Sequence, residues 1–284
     1  MMMTACDDGR RRVYESGDKG ESWTEALGTF SRVWGNPTER KGPQKSVGSG
    51  FITATVGDGN KKVMLVTLPV YVKEEDNGKG RLHLWLTDNT HIVDIGPVSG
   101  EDENVTASSL LYKSGKDNKE EELIALYEVD GGEEVEEASH GMVSVPLTQQ
   151  LQRVKEVLAT WKKVDERVSQ LCTSFFAAMN TSPGDACSAE RVTKGLVGFL
   201  SGNFSGNTWR DEYLGVNATV KENGRAEKKS AGANKSPYGV TFHRAWAEWP
   251  VGQQGENQLY HFANYNFTLM ATVSIDNVAE GGSV

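Results

Sequence analysis

Residues 14–27 read Y-E-S-G-D-K-G-E-S-W-T-E-A-L, and they set Ser16, Asp18, Gly20 and Trp23 at the spacing S-x-D-x-G-x-x-W. Short Ser and Asp side chains hydrogen-bond the backbone of the turn they occupy. Gly20 supplies the φ freedom that a tight turn requires. Trp23 falls on the outgoing strand, where its ring is expected to fold back over the turn and become buried. With V-Y-E and W-T-E as flanking strands, the stretch reads as a β-hairpin carrying its own latch. The pattern specifies a way of folding, not a chemistry.

Outward from this hairpin, residues 1–147 continue as strands and turns. Strands are expected at 11–16 and 22–27, then at 50–56 and 62–69 around the turn signal Gly57-Asp58-Gly59-Asn60. No helix follows that glycine pair, so it is not a phosphate-binding loop. Strands at 81–86 and 91–95 enclose Thr87-Asp88-Asn89, a second hairpin with an Asp at its turn. Strands at 108–113, 122–129 and 141–147 complete the series, and the repeat of short antiparallel units indicates a propeller. The acidic runs 120–122 and 133–137 read as solvated hairpin tips.

At Pro146 the apolar period changes. Leu147, Leu151, Val154, Leu158, Trp161, Val164, Val168 and Leu171 step by three and four, one face of an amphipathic helix over 147–172. From Thr173 the pattern returns to strands, clearest at 192–200, 240–247 and 267–275, with a basic loop at 224–237. Trp246 and Trp249 read as core residues. The divisions are therefore 1–146, 147–172 and 173–284.

A net charge of −9 argues against nucleic acid as a partner. No apolar run reaches the length needed to cross a bilayer, and Met1–Cys6 is not a signal peptide. Sequons at Asn104, Asn180, Asn203, Asn217, Asn234 and Asn266 favour a secreted or surface context. Cys172 and Cys187 bracket a polar loop. A disulfide there would add about 3 kcal/mol in the chain-entropy account; two unpaired buried thiols are the alternative. Cys6 is left over. The histidines show no metal-ligand spacing, and no cofactor motif occurs.

Longer stretches carry a resemblance. R-R-R-V-Y-E-S-G-D-K-G-E-S-W-T-E-A-L-G-T-F-S-R-V-W-G (10–35), L-W-L-T-D-N (84–89), G-L-V-G-F-L-S (195–201) and W-P-V-G-Q-Q-G-E-N-Q-L-Y-H-F-A-N-Y-N-F-T-L (249–269) closely resemble the trypanosomal trans-sialidase and sialidase superfamily, whose blades bear the S-x-D-x-G-x-x-W pattern as the Asp box. The resemblance implies an all-β fold: a partial six-bladed sialidase β-propeller, a connecting α-helix and a partial concanavalin-like lectin sandwich. It also implies early blades before Met1, and late strands and a lipid-anchor signal beyond Val284.

Enzymes of this superfamily hold the sialic acid carboxylate with arginines and attack the anomeric carbon with a tyrosine activated by a glutamate. At the matching positions stand Cys6, or Ala5 if the register slips by one, for one arginine, Lys79 for another, with Arg81 as the other possible stand-in, and Ala107 for the nucleophile before Ser108-Ser109-Leu110-Leu111-Tyr112. Cysteine cannot pair with a carboxylate, lysine lacks the bidentate fork, and alanine has no nucleophile. Glu128 matches a glutamate that steadies the arginines, and Tyr112 matches a structural tyrosine. These replacements imply the non-enzymatic, adhesin-like branch: surface glycoproteins, lipid-anchored in full-length form, that bind host-cell or matrix glycoproteins. An active exo-α-sialidase or trans-sialidase is the alternative, and a glycan-binding module the third reading.

Overall fold

The structure is a computed structural model, and it describes residues 2–5, 11–25, 48–57, 61–70, 81–101, 103, 105–114, 121–129, 141–222, 232–236, 239–252, 259–264 and 266–275. Cys6, Lys79, Asn104 and the acidic run 133–137 lie outside the described residues.

The chain is mostly β. Strands β1 (Met2–Ala5), β2 (Arg11–Glu15) and β3 (Thr24–Glu25) form an antiparallel sheet. Strands β4 (Phe51–Thr55), β5 (Lys62–Val70), β6 (Arg81–Thr87) and β7 (Ile92–Pro97) form a four-stranded antiparallel meander. Strands β8 (Val105–Lys113), β9 (Glu122–Val129) and β10 (Gly141–Pro146) form a third sheet. Hairpin neighbours pair with each other throughout, which is the connectivity of propeller blades. Among the described residues three blade-like sheets occur and do not close into a ring, which is a partial propeller.

Simple alternation fails on β6, where Leu84, Trp85, Leu86 and Thr87 are all buried. Both faces of this strand are covered, because a blade packs against a neighbour on each side. Val13, Val66, Leu68, Trp85 and Ile92 make the smaller apolar cluster that joins the first sheet to the second. Leu65, Leu82, Leu84, Leu86, Leu123 and Ala125 belong to the larger core that the helix completes.

A backbone seam fastens the second sheet to the third. Gly48 bridges Ala107 in parallel, and Ser108 donates its backbone N–H to the Gly48 carbonyl at 2.8 Å. Thr67 donates its N–H to the Gly50 carbonyl at 2.8 Å, and the Thr67 and Ser108 hydroxyls lie 2.9 Å apart. A Cβ on Gly50 would stand 2.7 Å from the Ser109 Cα, so only glycine permits this approach.

Helix α1 spans Thr148–Ala178, six residues past the expected end. Leu151, Val154, Val157, Trp161 and Val164 are buried, but Leu171 is 50% exposed. The helix outlasts the surface it packs on, and its last turns are held instead by a disulfide from Cys172 to Cys187, Cα–Cα 5.5 Å. A 3-10 turn (Gly184–Cys187) and the short helix α2 (Ala189–Val192) follow. The strand expected at 192–200 is therefore not formed: helix and turn run through it, and the first strand starts at Leu200.

Strands β11 (Leu200–Ser205), β12 (Thr208–Asp211), β13 (Ala218–Glu222) and β16 (Ala245–Glu248) form a four-stranded lectin-like sheet. Strands β14 (Gly232–Lys235) and β15 (Val240–His243) pair beside it, so part of the stretch expected to be a basic loop is strand. The strand expected at 267–275 carries no assigned secondary structure or pairing; Met270 is 89% and Val273 77% exposed. Its alternation is real, but no neighbouring strand among the described residues pairs with it. Trp246 is exposed and not core, whereas Trp249 is half-buried and donates its indole N–H to the Val216 carbonyl at 2.8 Å.

Candidate functional site

The first hairpin closes by its own side chains. The Ser16 hydroxyl donates to Asp18 Oδ1 at 2.7 Å and accepts the Gly20 N–H at 2.7 Å. Asp18 also receives the Ser22 N–H at 2.9 Å and the Ser22 hydroxyl at 2.5 Å. These bonds, those from Ser22 foremost, hold its carboxyl far below the usual carboxylate range. Lys19 and Gly20 both take positive φ, 63° and 101°. Trp23 folds back and donates Nε1–H to the Gly20 carbonyl at 3.2 Å, but its ring is 42% exposed and not buried as expected. Gly20, against which the ring folds, has no side chain with which to cover it.

Ala107 lies next to a bulge in β8, directly opposite Glu128 of β9, which pairs onward with Met142 of β10. The bulge leaves one residue of β8 unpaired between Val105 and Ala107, and the side chain at Ala107 is a methyl group. Glu128 is half-buried and the methyl opposite it can neither accept nor donate a proton. Arg81, the possible stand-in for a missing arginine, is committed elsewhere: Nε donates to the Ser99 carbonyl at 3.0 Å and Nη1 to Glu101 at 3.1 Å.

Among the described residues three tyrosine hydroxyls donate to carboxylates, those of Tyr112, Tyr127 and Tyr213, and none of the three is Ala107's neighbour across β9. Tyr127 donates to Glu103 at 2.8 Å, but it is only 3% exposed and points to the face of β9 opposite Glu128. Burial first, and then Glu103, pushes its phenol up to about 12. Tyr112 donates to Glu121 at 2.8 Å and to the Thr55 carbonyl at 3.2 Å, and burial followed by Glu121 pushes its phenol up as well. A raised phenol is harder to ionise and so a poorer nucleophile.

Glu121 was expected on a solvated tip. Its side chain is 3% exposed, receives the Gly57 N–H at 2.9 Å and pairs with Lys155 of α1. Burial alone would raise its carboxyl, but the bonds from Lys155, Gly57 and Tyr112 outweigh that and leave it lowered. It is a joint between blade and helix, and its signal lay only in the pairing partner on α1, far along the chain.

The second hairpin turn is the densest polar cluster among the described residues. Asp88 accepts the N–H groups of Thr90 at 3.0 Å and His91 at 2.7 Å, and pairs with Lys61 Nζ at 2.5 Å and with His91 Nδ1 at 3.1 Å. Burial would raise the Asp88 carboxyl, but His91 and Lys61 more than reverse it, and it sits far below the usual range. His91 stacks on Tyr213 at 4.2 Å and tilts against Trp161 at 5.1 Å. Trp161 donates to the Tyr213 carbonyl at 2.9 Å, and the Tyr213 hydroxyl donates to Asp165 at 2.7 Å. Sequence reading placed Asp88 at a turn but saw His91 as one of several scattered histidines.

Of the sequons described, Asn180, Asn203, Asn234 and Asn266 are exposed. Asn217 is half-buried, and its side-chain oxygen accepts the Asp211 N–H at 2.9 Å. Among the described residues no group of His, Cys, Asp and Glu is arranged to hold a metal, and no helix is long and apolar enough to cross a membrane.

Propeller blades, a long helix and a lectin-like sheet define a protein of the sialidase-propeller class. A profile described as "BNR repeat-like domain" matches residues 1–128, and one described as "Trans-sialidase, C-terminal domain" matches residues 192–284. A sialidase of Trypanosoma cruzi is 33% identical over 291 residues, 99% of this chain and 22% of the relative. Sialidase 85-1.1 of the same organism is 31% identical over 287 residues, 100% of this chain and 33% of the relative. Trypanosoma rangeli sialidase in complex with the inhibitor DANA matches with TM-score 0.69 and 36% identity over 93% of this chain and 37% of that one. A mutant of that sialidase displaying trans-sialidase activity matches with TM-score 0.67 and 38% identity over 91% and 36%. The chain belongs to the trypanosomal trans-sialidase/sialidase superfamily. It spans between 22% and 33% of the length of the curated relatives it matches.

Proposed function

We propose that this chain is part of a catalytically inactive surface glycoprotein of the superfamily, acting in adhesion to host-cell or matrix glycoproteins. The observation that carries the reading is Ala107 opposite Glu128: at the register position facing the glutamate there is a methyl group. The covalent route needs a nucleophilic side chain at the position before Ser108, and alanine offers none. Cys6 and Lys79 at the arginine-matched positions support the same reading, since neither reproduces a charge-assisted bidentate grip on a carboxylate. The division into blades at 1–146, a connecting helix and a lectin-like part from 173 belongs to this proposal, as do surface display, lipid anchoring and glycans on the exposed sequons.

The test joins this chain to the front portion of the T. rangeli sialidase propeller and measures fluorophore release from a sialyl-umbelliferone substrate. No release is expected, and measurable release is expected on introducing Ala107→Tyr, Cys6→Arg and Lys79→Arg together. Turnover by the unaltered chimera, lost on Glu128→Gln, would establish the active sialidase or trans-sialidase instead. Adhesion is tested by binding of the chain to immobilised matrix glycoproteins before and after desialylation. Binding that survives desialylation supports protein-directed adhesion; binding that disappears supports the glycan-binding reading.

A further inference from the structure

We propose that His91 is a proton-dependent clamp between the propeller part and the lectin-like part, closed when its ring carries both protons. Its Nδ1 lies 3.1 Å from Asp88 Oδ2, and its Nε2 lies 3.0 Å from the Leu196 carbonyl oxygen. A carboxylate and a carbonyl can only accept, so both bonds exist together only for the imidazolium. Either neutral tautomer turns a ring lone pair towards an oxygen lone pair and breaks one of the two links. One link is to the turn that bears the histidine; the other crosses to the chain that enters the lectin-like sheet.

The ring is enclosed on every side that the described residues show. His91 is 6% exposed, so no solvent can substitute for a lost partner without opening the joint. Facing it from its own hairpin is Asp88, and from the start of β5 Lys61, which neutralises part of Asp88 and lies 5.4 Å from the Trp161 ring centre. From α1 come Trp161 and, through Tyr213, Asp165. From the lectin-like side come the Tyr213 ring and Asp211, whose carboxylate is tied to the N–H groups of Phe199, Gly215 and Val216. His261 is buried near by, and burial foremost lowers its pKa. The His91 ring is thus held between Asp88, the Leu196 carbonyl and the rings of Tyr213 and Trp161. Because the protonated form holds both links, closure is complete at low pH and is lost as pH rises through the ring's titration.

The experiment is hydrogen exchange on the full chain from about pH 5.5 to about pH 8, corrected for intrinsic rates, with ring-nitrogen NMR of His91 over the same range. Protection of the Phe199 and Val216 amides is expected to fall on the order of tenfold across the ring titration, with coincident midpoints. In His91→Phe, which keeps the stacking, that pH dependence is expected to vanish. A wild-type profile that is flat, or that is unchanged in His91→Phe, overturns the clamp. If that variant does not fold, the wild-type NMR decides alone: a neutral ring at the acid end, or midpoints that do not coincide, also overturns it.

Discussion

The two Asp-bearing hairpin turns, one at Asp18 and one at Asp88, use the same local chemistry for different ends. In both, the carboxylate collects N–H groups from the residues that follow it, and in both it is held far below its usual pKa. Asp18 does this in solvent with partners inside its own turn. Asp88 is buried, and its partners include Lys61 of the neighbouring strand region and a histidine stacked on the helix and the lectin-like sheet. One turn is a self-contained folding unit. The other has become a tertiary joint.

The comparison breaks first at Asp88. Asp88→Ala leaves Lys61 and a buried histidine facing no carboxylate, and a loss of about 3 kcal/mol is expected in urea unfolding. The acid response has a defined sign. The folded carboxyl lies below its ordinary 3.8, so its contribution is present above that value and is lost as pH falls below it. Breaking the Cys172–Cys187 bridge by Cys187→Ser should cost a similar amount, about 3 kcal/mol, but with a different footprint: hydrogen exchange should rise over the last turns of α1 and leave Asp88 untouched. Glu121→Gln keeps an acceptor for Tyr112 and Gly57 but removes the charge that faces Lys155, with an expected cost of about 1–2 kcal/mol in thermal unfolding. Asp18→Asn is expected to do least. Faster exchange at Gly20 and Ser22 without a change in melting temperature would confirm that this turn stands alone. A shift of the global melting temperature as large as that of Asp88→Ala would erase the distinction between the two turns.

What could be read from sequence follows the same division. The hairpins between 51 and 146 were legible because the turn signals and apolar runs are local, and each strand pairs with the next. The pairing of 122–129 with the strand before it was legible because the run from Ser108 to Tyr112 alternates in register with its neighbour. Glu121 was misread because an acidic run looks solvated until Lys155 of α1 packs over it. The 192–200 and 267–275 segments were misread because an apolar stretch predicts a strand only where a partner strand exists. Trp23 and Trp246 were misjudged for a related reason: aromatic rings are buried by what packs over them, and neither has a second layer among the described residues.

The Gly48–Gly50 crossing has a consequence for how the molecule comes apart. The carbonyls of Gly48 and Gly50 are held by N–H groups on two different sheets, and the hydroxyls of Thr67 and Ser108 close the gap between them. Blades joined only by side-chain contact can be peeled singly. Here the second and third sheets are stitched main chain to main chain beside Ala107, so under mechanical or chemical stress they should part from the rest as one cooperative body.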